Sequence, residues 1–457
     1  MSELVFAWYG RPGYLRLTQS HQAYYPRIMI QRIESQGMFF KDCTLPGETR
    51  ADDLFPAHPN AIPLARDRWL VLYSIRGFEG IDDERSIIYQ IREGSLTGRV
   101  LREKWMARCV NDWDPDGDGS NLRKEHGHPG AFGVPEGALI GGKVPAHAGL
   151  FVAKWRVVGK NYSEGTPINA NSRKGQAVEW AQFRLSATRD DIEFVMPPQT
   201  LHQKGFSAGP FCSLPEVAWM NQTFVQAVPF NAEADEWAEV NHFDGGCIAP
   251  LKYRYEPASG LYEWVETGAP IRRPGGRLHE ASLLKTARGW VIAARSDPGP
   301  IQWFLMDDPF GKTPTSVPGD FNPQSPISVY AAPDGSVLLL TGNAALAPHN
   351  NARDPLYAFE VDVDGGFRSN SPRVIMDSVA AGIPIRPESV SRVDMGKLVT
   401  HAGGSVQHVL HRIRTKSINY PANTKAVTTP EEKLHCGIYR AEIHYADDLP
   451  AAWDYAG

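Results

Sequence analysis

EASLLKTARGWVIAARS, residues 280–296, and ISVYAAPDGSVLLLTGN, residues 327–343, share one design: an apolar run, a short glycine-containing turn, and a second apolar run ending on a polar residue. Gly and Asp supply the backbone angles a tight reversal needs, so each stretch reads as a β-hairpin. SVSRVDMGKLVTHAG (389–403) repeats the design. The hairpins recur at intervals of roughly 45 to 60 residues, compatible with the blades of a propeller.

Working outward, further strand-like runs follow: RWLVLYS (68–74), SIIYQI (86–91), GLFVAKWRVV (149–158), AVEWAQFRLSA (177–187), TFVQAVPF (223–230), PLKYRYEPASGLYEWVETG (250–268) and PLYAFEVDVDGGF (355–367). With 42 Gly, 36 Pro and 47 aromatic residues (12 Trp, 16 Tyr, 19 Phe), the chain suits many short strands better than long helices. The expectation is an all-β fold: one β-propeller domain over residues 1–457, of about six blades, with seven also compatible. A pair of β-sandwiches is the alternative. No linker or composition shift divides the chain. Segments 111–148 and 159–176, rich in Gly, Pro, Asn and His, read as long inter-strand loops, where function concentrates.

Charge narrows the partners. A net charge of −5 and the lack of a dense Lys/Arg run exclude the electrostatic footprint of a nucleic-acid binder. Cys43, Cys109, Cys212, Cys247 and Cys436 are scattered and odd in number, which argues against a disulfide framework and a zinc knuckle. No apolar stretch reaches the roughly 18 residues of a membrane span, so no membrane partner is expected. MSELVFAWYGRPGY at the start lacks a basic segment followed by an apolar one, so the chain reads as soluble and cytoplasmic. A secreted or periplasmic protein whose signal peptide had been trimmed would read the same way.

HPNAIPLARDRWLVLYSIRGFEGIDD (58–83) resembles the first blade of the sialidase superfamily, in which an Arg-Ile-Pro motif opens a strand and a carboxylate follows in a later loop. His58 replaces the motif's arginine, and Asp82 or Asp83 matches the carboxylate. HEASLLKTARGWVIAARSD (279–297) resembles the blade where a glutamate leads a hairpin and an arginine ends it, which maps onto Glu280 and Arg295. HNNARDPLYAFEVDVDGG (349–366) resembles the blade carrying the family's third arginine, giving Arg353. The Asp-box repeat is absent, and the family's tyrosine nucleophile has no counterpart in IMDSVAAGIPIRPESV (375–390). The resemblance therefore implies the scaffold and an acidic sugar substrate, with chemistry other than sialic acid hydrolysis. The His and Arg richness is also similar to that of propeller uronate lyases and rhamnosyl-glucuronate hydrolases.

Residue chemistry adds candidates. An imidazole exchanges protons near neutral pH, so His58 beside Asp82 forms an acid/base pair; a histidine capping a strand is the plainer reading. Arg277, His279 and Glu280 crowd three polar groups before an apolar hairpin, and Arg295 and Arg353 offer planar guanidiniums to a sugar carboxylate. His242 and Tyr255 supply the proton-abstracting groups of an elimination, although strand alternation sends Tyr253 and Tyr255 to one face and Arg254 to the other. WDPDGDGSNLRKE (113–125) places Asp114, Asp116, Asp118 and Glu125 at calcium-loop spacing, so Ca2+ is the candidate metal, with no organic cofactor. HGHPG (126–130) puts His126 and His128 two apart, suited to a metal or a sugar carboxylate. The combined expectation is a glycosidase cleaving next to an acidic sugar in an oligosaccharide or polysaccharide. Without the tyrosine nucleophile, hydrolysis proceeds by direct water attack and inversion. A lyase acting by β-elimination and a non-catalytic glycan- or protein-binding propeller are the alternatives.

Overall fold

The computed structural model describes residues 29–40, 54–77, 84–114, 122–161, 173–204, 220–222, 227–231, 233, 235–243, 246–312, 315–323, 325–332, 336–346, 353–383, 389–417 and 429–455. The strands among them group into six antiparallel meanders. The first runs Leu54–Ala65, Arg68–Gly77, Glu84–Glu93, Val100–Ala107. The second runs Leu122–Gly133, Phe151–Asn161, Arg173–Leu185, Ile192–Thr200, and a single pair, Arg85 with His126, joins it to the first. In the third, Met220–Gln222 and Val228–Pro229 share the inner edge of Glu236–Phe243, which continues to Cys247–Glu256 and Leu261–Thr267.

Arg277–Thr286, Gly289–Asp297, Gln302–Met306 and Val317–Pro318 make the fourth. The fifth consists of Ser328–Ala331, Val337–Thr341 and Leu356–Asp362, with Arg368–Ser369 and Arg373–Met376 on its outer edge. Ser389–Leu398, Gly404–Ser417 and Gly437–Leu449 form the sixth, and Ile30–Phe40, from the other end of the chain, completes it.

Packing closes these meanders into a propeller. In WLVLY, Leu70 and Leu72 point into a cluster shared with Phe151, Ala153 and Trp155 of the second meander. Trp69, Val71 and Tyr73 point the other way, into a cluster shared with Leu410 and Ile438 of the sixth. VLLL divides likewise: Val337 and Leu339 meet the fourth meander, Leu338 and Leu340 the sixth. The remaining interfaces are filled by Phe132, Trp180, Trp237 and Tyr253 between the second and third meanders, and by Val240, Ile248, Leu283 and Trp290 between the third and fourth. Side chains alternate along a strand, so a sheet buried on both faces needs unbroken apolar runs. That requirement is why these strands lack the polar alternation of a half-exposed sheet.

One sequence expectation is corrected. Segment 111–148 is not one long loop, because Leu122–Gly133 within it is the inner strand of the second meander. HGHPG lies within that strand, at the place where its ladder breaks. The segment 159–176 is flanked by the end of Phe151–Asn161 and the start of Arg173–Leu185, leaving 162–172 outside the described residues. The chain's last described strand, Asp454–Tyr455, pairs with Ala138–Leu139 of the second meander. Among the described residues no helix is long and apolar enough to cross a membrane.

Candidate active site

A meander's second strand returns to the end of the ring from which its first strand sets out, and this end gathers the charged groups. Arg76, Arg295 and Arg412 stand in the later halves of the second strands of the first, fourth and sixth meanders, Arg156 at the middle of that of the second, and His242 near the end of Glu236–Phe243 in the third. The inner strands facing four of these second strands are broken by bulges, between Ala57 and Asn60, Gly127 and Gly130, His279 and Ala281, and Asp394 and Lys397. Each break holds a non-glycine residue at positive φ: His58 (50°), His128 (52°), Glu280 (46°) and Met395 (61°). L-residues rarely adopt this conformation, and bulges at functional rims use it to re-aim a side chain.

Around Glu280 the groups are in direct contact. Arg295 donates to its Oε2 at 2.7 Å, and its backbone N–H donates to His242 Nδ1 at 3.2 Å. The His242 and His279 rings meet edge to face at 6.1 Å. Burial alone would raise the Glu280 carboxyl, but Arg295, Arg353 and His279 outweigh it and hold it down to about 2. Burial also keeps His242 neutral, with its pKa lowered to about 3, and lowers His279. Glu280 is therefore a carboxylate at neutral pH, and His242, with Nδ1 accepting, presents its proton on Nε2.

A second cluster draws on the first, second and sixth meanders and on Arg353, which precedes the third strand of the fifth. Buried Asp394 receives Arg353 at 2.8 Å and Arg412 through Nε at 2.9 Å and Nη2 at 2.5 Å. Burial works against its ionisation, yet Arg412, Arg353 and Arg392 hold it well below the usual carboxylate range. Arg412 and Arg76 each donate to His58 Nε2, at 2.7 and 3.1 Å, while Ser74 Oγ lies 2.7 Å from His58 Nδ1. His128 stacks on His58 with ring centroids 3.9 Å apart. The clusters are electrically linked, since Arg353 acts on Glu280 and His128 on His242.

The structure thus brings together His58, His128, His242, His279, Glu280, Arg295 and Arg353. The other described candidates make different contacts. Tyr255 pairs with Tyr262 and its ring faces His147, seven residues along the meander from the row where His242 pairs with Ile248, which at about 3.3 Å per residue is the opposite end of the ring. Arg277 is exposed. His126 is buried against Glu179, whose carboxyl burial would raise but His126 and Lys124 lower to about 2. Asp82 lies outside the described residues, as do Asp116 and Asp118 of the acidic loop. Asp114 is exposed, and Glu125 is fully buried in the sheet and bonded by Arg123 Nε at 2.7 Å. Elsewhere Glu34, Glu442 and His444 converge on the outer strands of the sixth meander, where Arg32 and Arg440 already neutralise the two carboxylates.

Sequence reasoning missed Arg76, Arg156, Asp394, Arg412 and Arg414. The four arginines shared a mark that was present, arginine set in or at the end of an apolar run, as in WLVLYSIR, FVAKWR and VLHRIR; Asp394 carried none. It also missed a buried group below the site, where Glu239 accepts from Lys154, from Asn241 at 2.6 Å and from Tyr253 at 2.8 Å.

No protein-family model and no curated protein matches the chain. Among solved structures, it is similar to a protein of unknown function from Dyadobacter fermentans, at 10% identity and a TM-score of 0.49 over 91% of this chain and 100% of that one. A Trypanosoma rangeli sialidase in complex with the inhibitor DANA gives 10% identity and a TM-score of 0.48 over 90% of this chain, which spans 58% of the sialidase. The GH93 α-L-arabinofuranosidase of Fusarium graminearum gives 10% identity and a TM-score of 0.41 over 90% of this chain and 97% of that one.

Proposed function

We propose that the protein is a glycoside hydrolase that cleaves next to an acidic sugar, with its site where the second strands end. The observation that carries this reading is Glu280, a carboxylate held ionised at about 2 and set between Arg295, His279 and the field of Arg353. A carboxylate that does not protonate cannot be the general acid. It can orient an attacking water or stabilise the positive charge that develops at the anomeric carbon. A guanidinium has five donors in a planar fork, and Arg295 directs one nitrogen to Glu280, so the same side chain can bracket the carboxylate of a substrate. The leaving-group proton then comes from another acid, for which Asp82 is the candidate.

The test is a panel of aryl glycosides of uronic acids beside their neutral counterparts. The reading expects release of the aryl group from the acidic members only, and its loss in Glu280→Gln. Cleavage of the neutral sugars at equal rates would overturn the acidic-sugar assignment. Elimination is the competing chemistry, favoured by one observation: the buried Nε2 of His279 has no hydrogen-bond partner and could take a proton. Uronate polysaccharides distinguish the two, because elimination leaves an ultraviolet-absorbing unsaturated sugar and hydrolysis does not.

A further inference from the structure

His58 stands where three blades meet. Its own inner strand carries it, Arg76 reaches it from the neighbouring strand of the first blade, Arg412 from the sixth, and His128 covers its ring from the second. The bonding fixes its protonation. Guanidinium N–H groups only donate, so Nε2, which both arginines address, must offer its lone pair. The ring proton is then on Nδ1, 2.7 Å from Ser74 Oγ, and that hydroxyl hands its own hydrogen to the Ala57 carbonyl at 3.2 Å. Donor and acceptor thus alternate from the two arginines through His58 and Ser74 to the Ala57 carbonyl.

The surroundings favour the same state. His58 is 3% exposed. The charged or titratable groups facing it are Arg76 from the first blade, Arg412 and Arg414 from the sixth and His128 from the second; Asp394 is reached only through Arg412. Burial first, and these positive neighbours after it, oppose protonation. With both nitrogens committed, the ring has neither a proton nor a lone pair for a substrate.

We propose that His58 is a positioning residue, a neutral imidazole whose Nε2 draws the buried guanidiniums of Arg76 and Arg412 from two blades to one point and so fixes the floor beneath the carboxylate-binding groups of the site. The carboxylate as ligand rests on the acidic-sugar reading; the neutral, bridging histidine does not. Like charges resist convergence, and a shared acceptor with Asp394 behind Arg412 offsets that resistance. An arginine or lysine at position 58 would add a third cation where an acceptor is required.

Two measurements test this. In 15N-histidine NMR spectra of the whole protein, with His58→Gln used for assignment, His58 should show a protonated Nδ1 and an unprotonated Nε2, unchanged from about pH 5 to about pH 8. A titration within that range, or a proton on Nε2, overturns the proposal. Calorimetry with D-glucuronate as the probe then compares variants. His58→Phe, which fills the space without an acceptor, should weaken binding about tenfold or more, whereas His58→Gln, whose amide oxygen can accept from both arginines, should stay within a few-fold of wild type. Equal loss in the two variants overturns the positioning role. Failure of the wild type to bind glucuronate strikes the acidic-sugar reading, while the nitrogen signature still decides the state of His58.

Discussion

The fourth and fifth blades are neighbours with the same hairpin design, yet they meet the site differently. In the fourth, the ladder between Arg277–Thr286 and Gly289–Asp297 slips at Glu280, and the second strand delivers Arg295. In the fifth, Ser328–Ala331 and Val337–Thr341 pair without a break, and the second strand ends on Thr341, whose hydroxyl donates to the Pro326 carbonyl at 3.1 Å. Both contribute to one shared core, Val291 and Trp303 from one and Val329 and Leu339 from the other. Packing therefore needs only the alternating apolar pattern. The site needs an added pair of features, a bulge in the inner strand and a cation on the second, which four blades have and the fifth lacks.

The comparison can be broken most forcefully at Asp394, the carboxylate beside the bulge of the sixth blade. Asp394→Ala leaves Arg353 and Arg412 buried without their common counter-charge, and should cost about 3–5 kcal/mol in urea unfolding. A loss no larger than that of a surface substitution would mean that the bulged blades do not depend on their charges. Glu280→Gln, in the fourth blade, should lower kcat on an acidic aryl glycoside by roughly a hundred- to a thousandfold while circular dichroism stays native. Retained turnover would remove Glu280 from the chemistry.

Acid should act next. His242 and His411 are kept neutral by burial at about 3, whereas an unfolded chain takes up those protons at about 6.5. Between those values the unfolded state binds more protons, so Tm should fall steadily as pH drops from about 6.5 towards about 3. The carboxylates of Glu280 and Glu179, lowered to about 2, add a further loss as pH falls below the ordinary carboxylate range towards that value. A flat Tm between pH 6.5 and 4.5 would show these histidines to be hydrated. The smallest effect belongs to the fifth blade, where Thr341→Val should cost about 1 kcal/mol and leave activity unchanged.

The sequence made the strands legible because burial on both faces writes itself as runs such as WLVLY and VLLL. The hairpin that joins Glu280 to Arg295 was legible for the same reason, the two being opposed across one turn. Other parts were hidden by physics that composition does not carry. Segment 111–148 looks like a loop because Gly and Pro usually interrupt strands, yet HGHPG within it lies in an inner strand bearing His128. Arg76 and Arg412 look like the solvated ends of strands, and only closing the ring brings both to His58, across 354 residues in the case of Arg412. The pattern KYRY held Tyr255 on the side opposite Arg254, but its distance along the axis from His242 follows from strand direction alone.

The outer strand of the sixth blade, Ile30–Phe40, hydrogen-bonds to Gly437–Leu449. During synthesis the first of these emerges long before the second, so the ring stays open until Gly437–Leu449 has left the ribosome. Such distant partners make closure a slow event, during which the edge of an incomplete blade is exposed to other chains. Trimming either strand should thus produce not a smaller propeller but an unsealed one prone to association, and a fusion partner is best placed beyond these strands, where it leaves the seam intact.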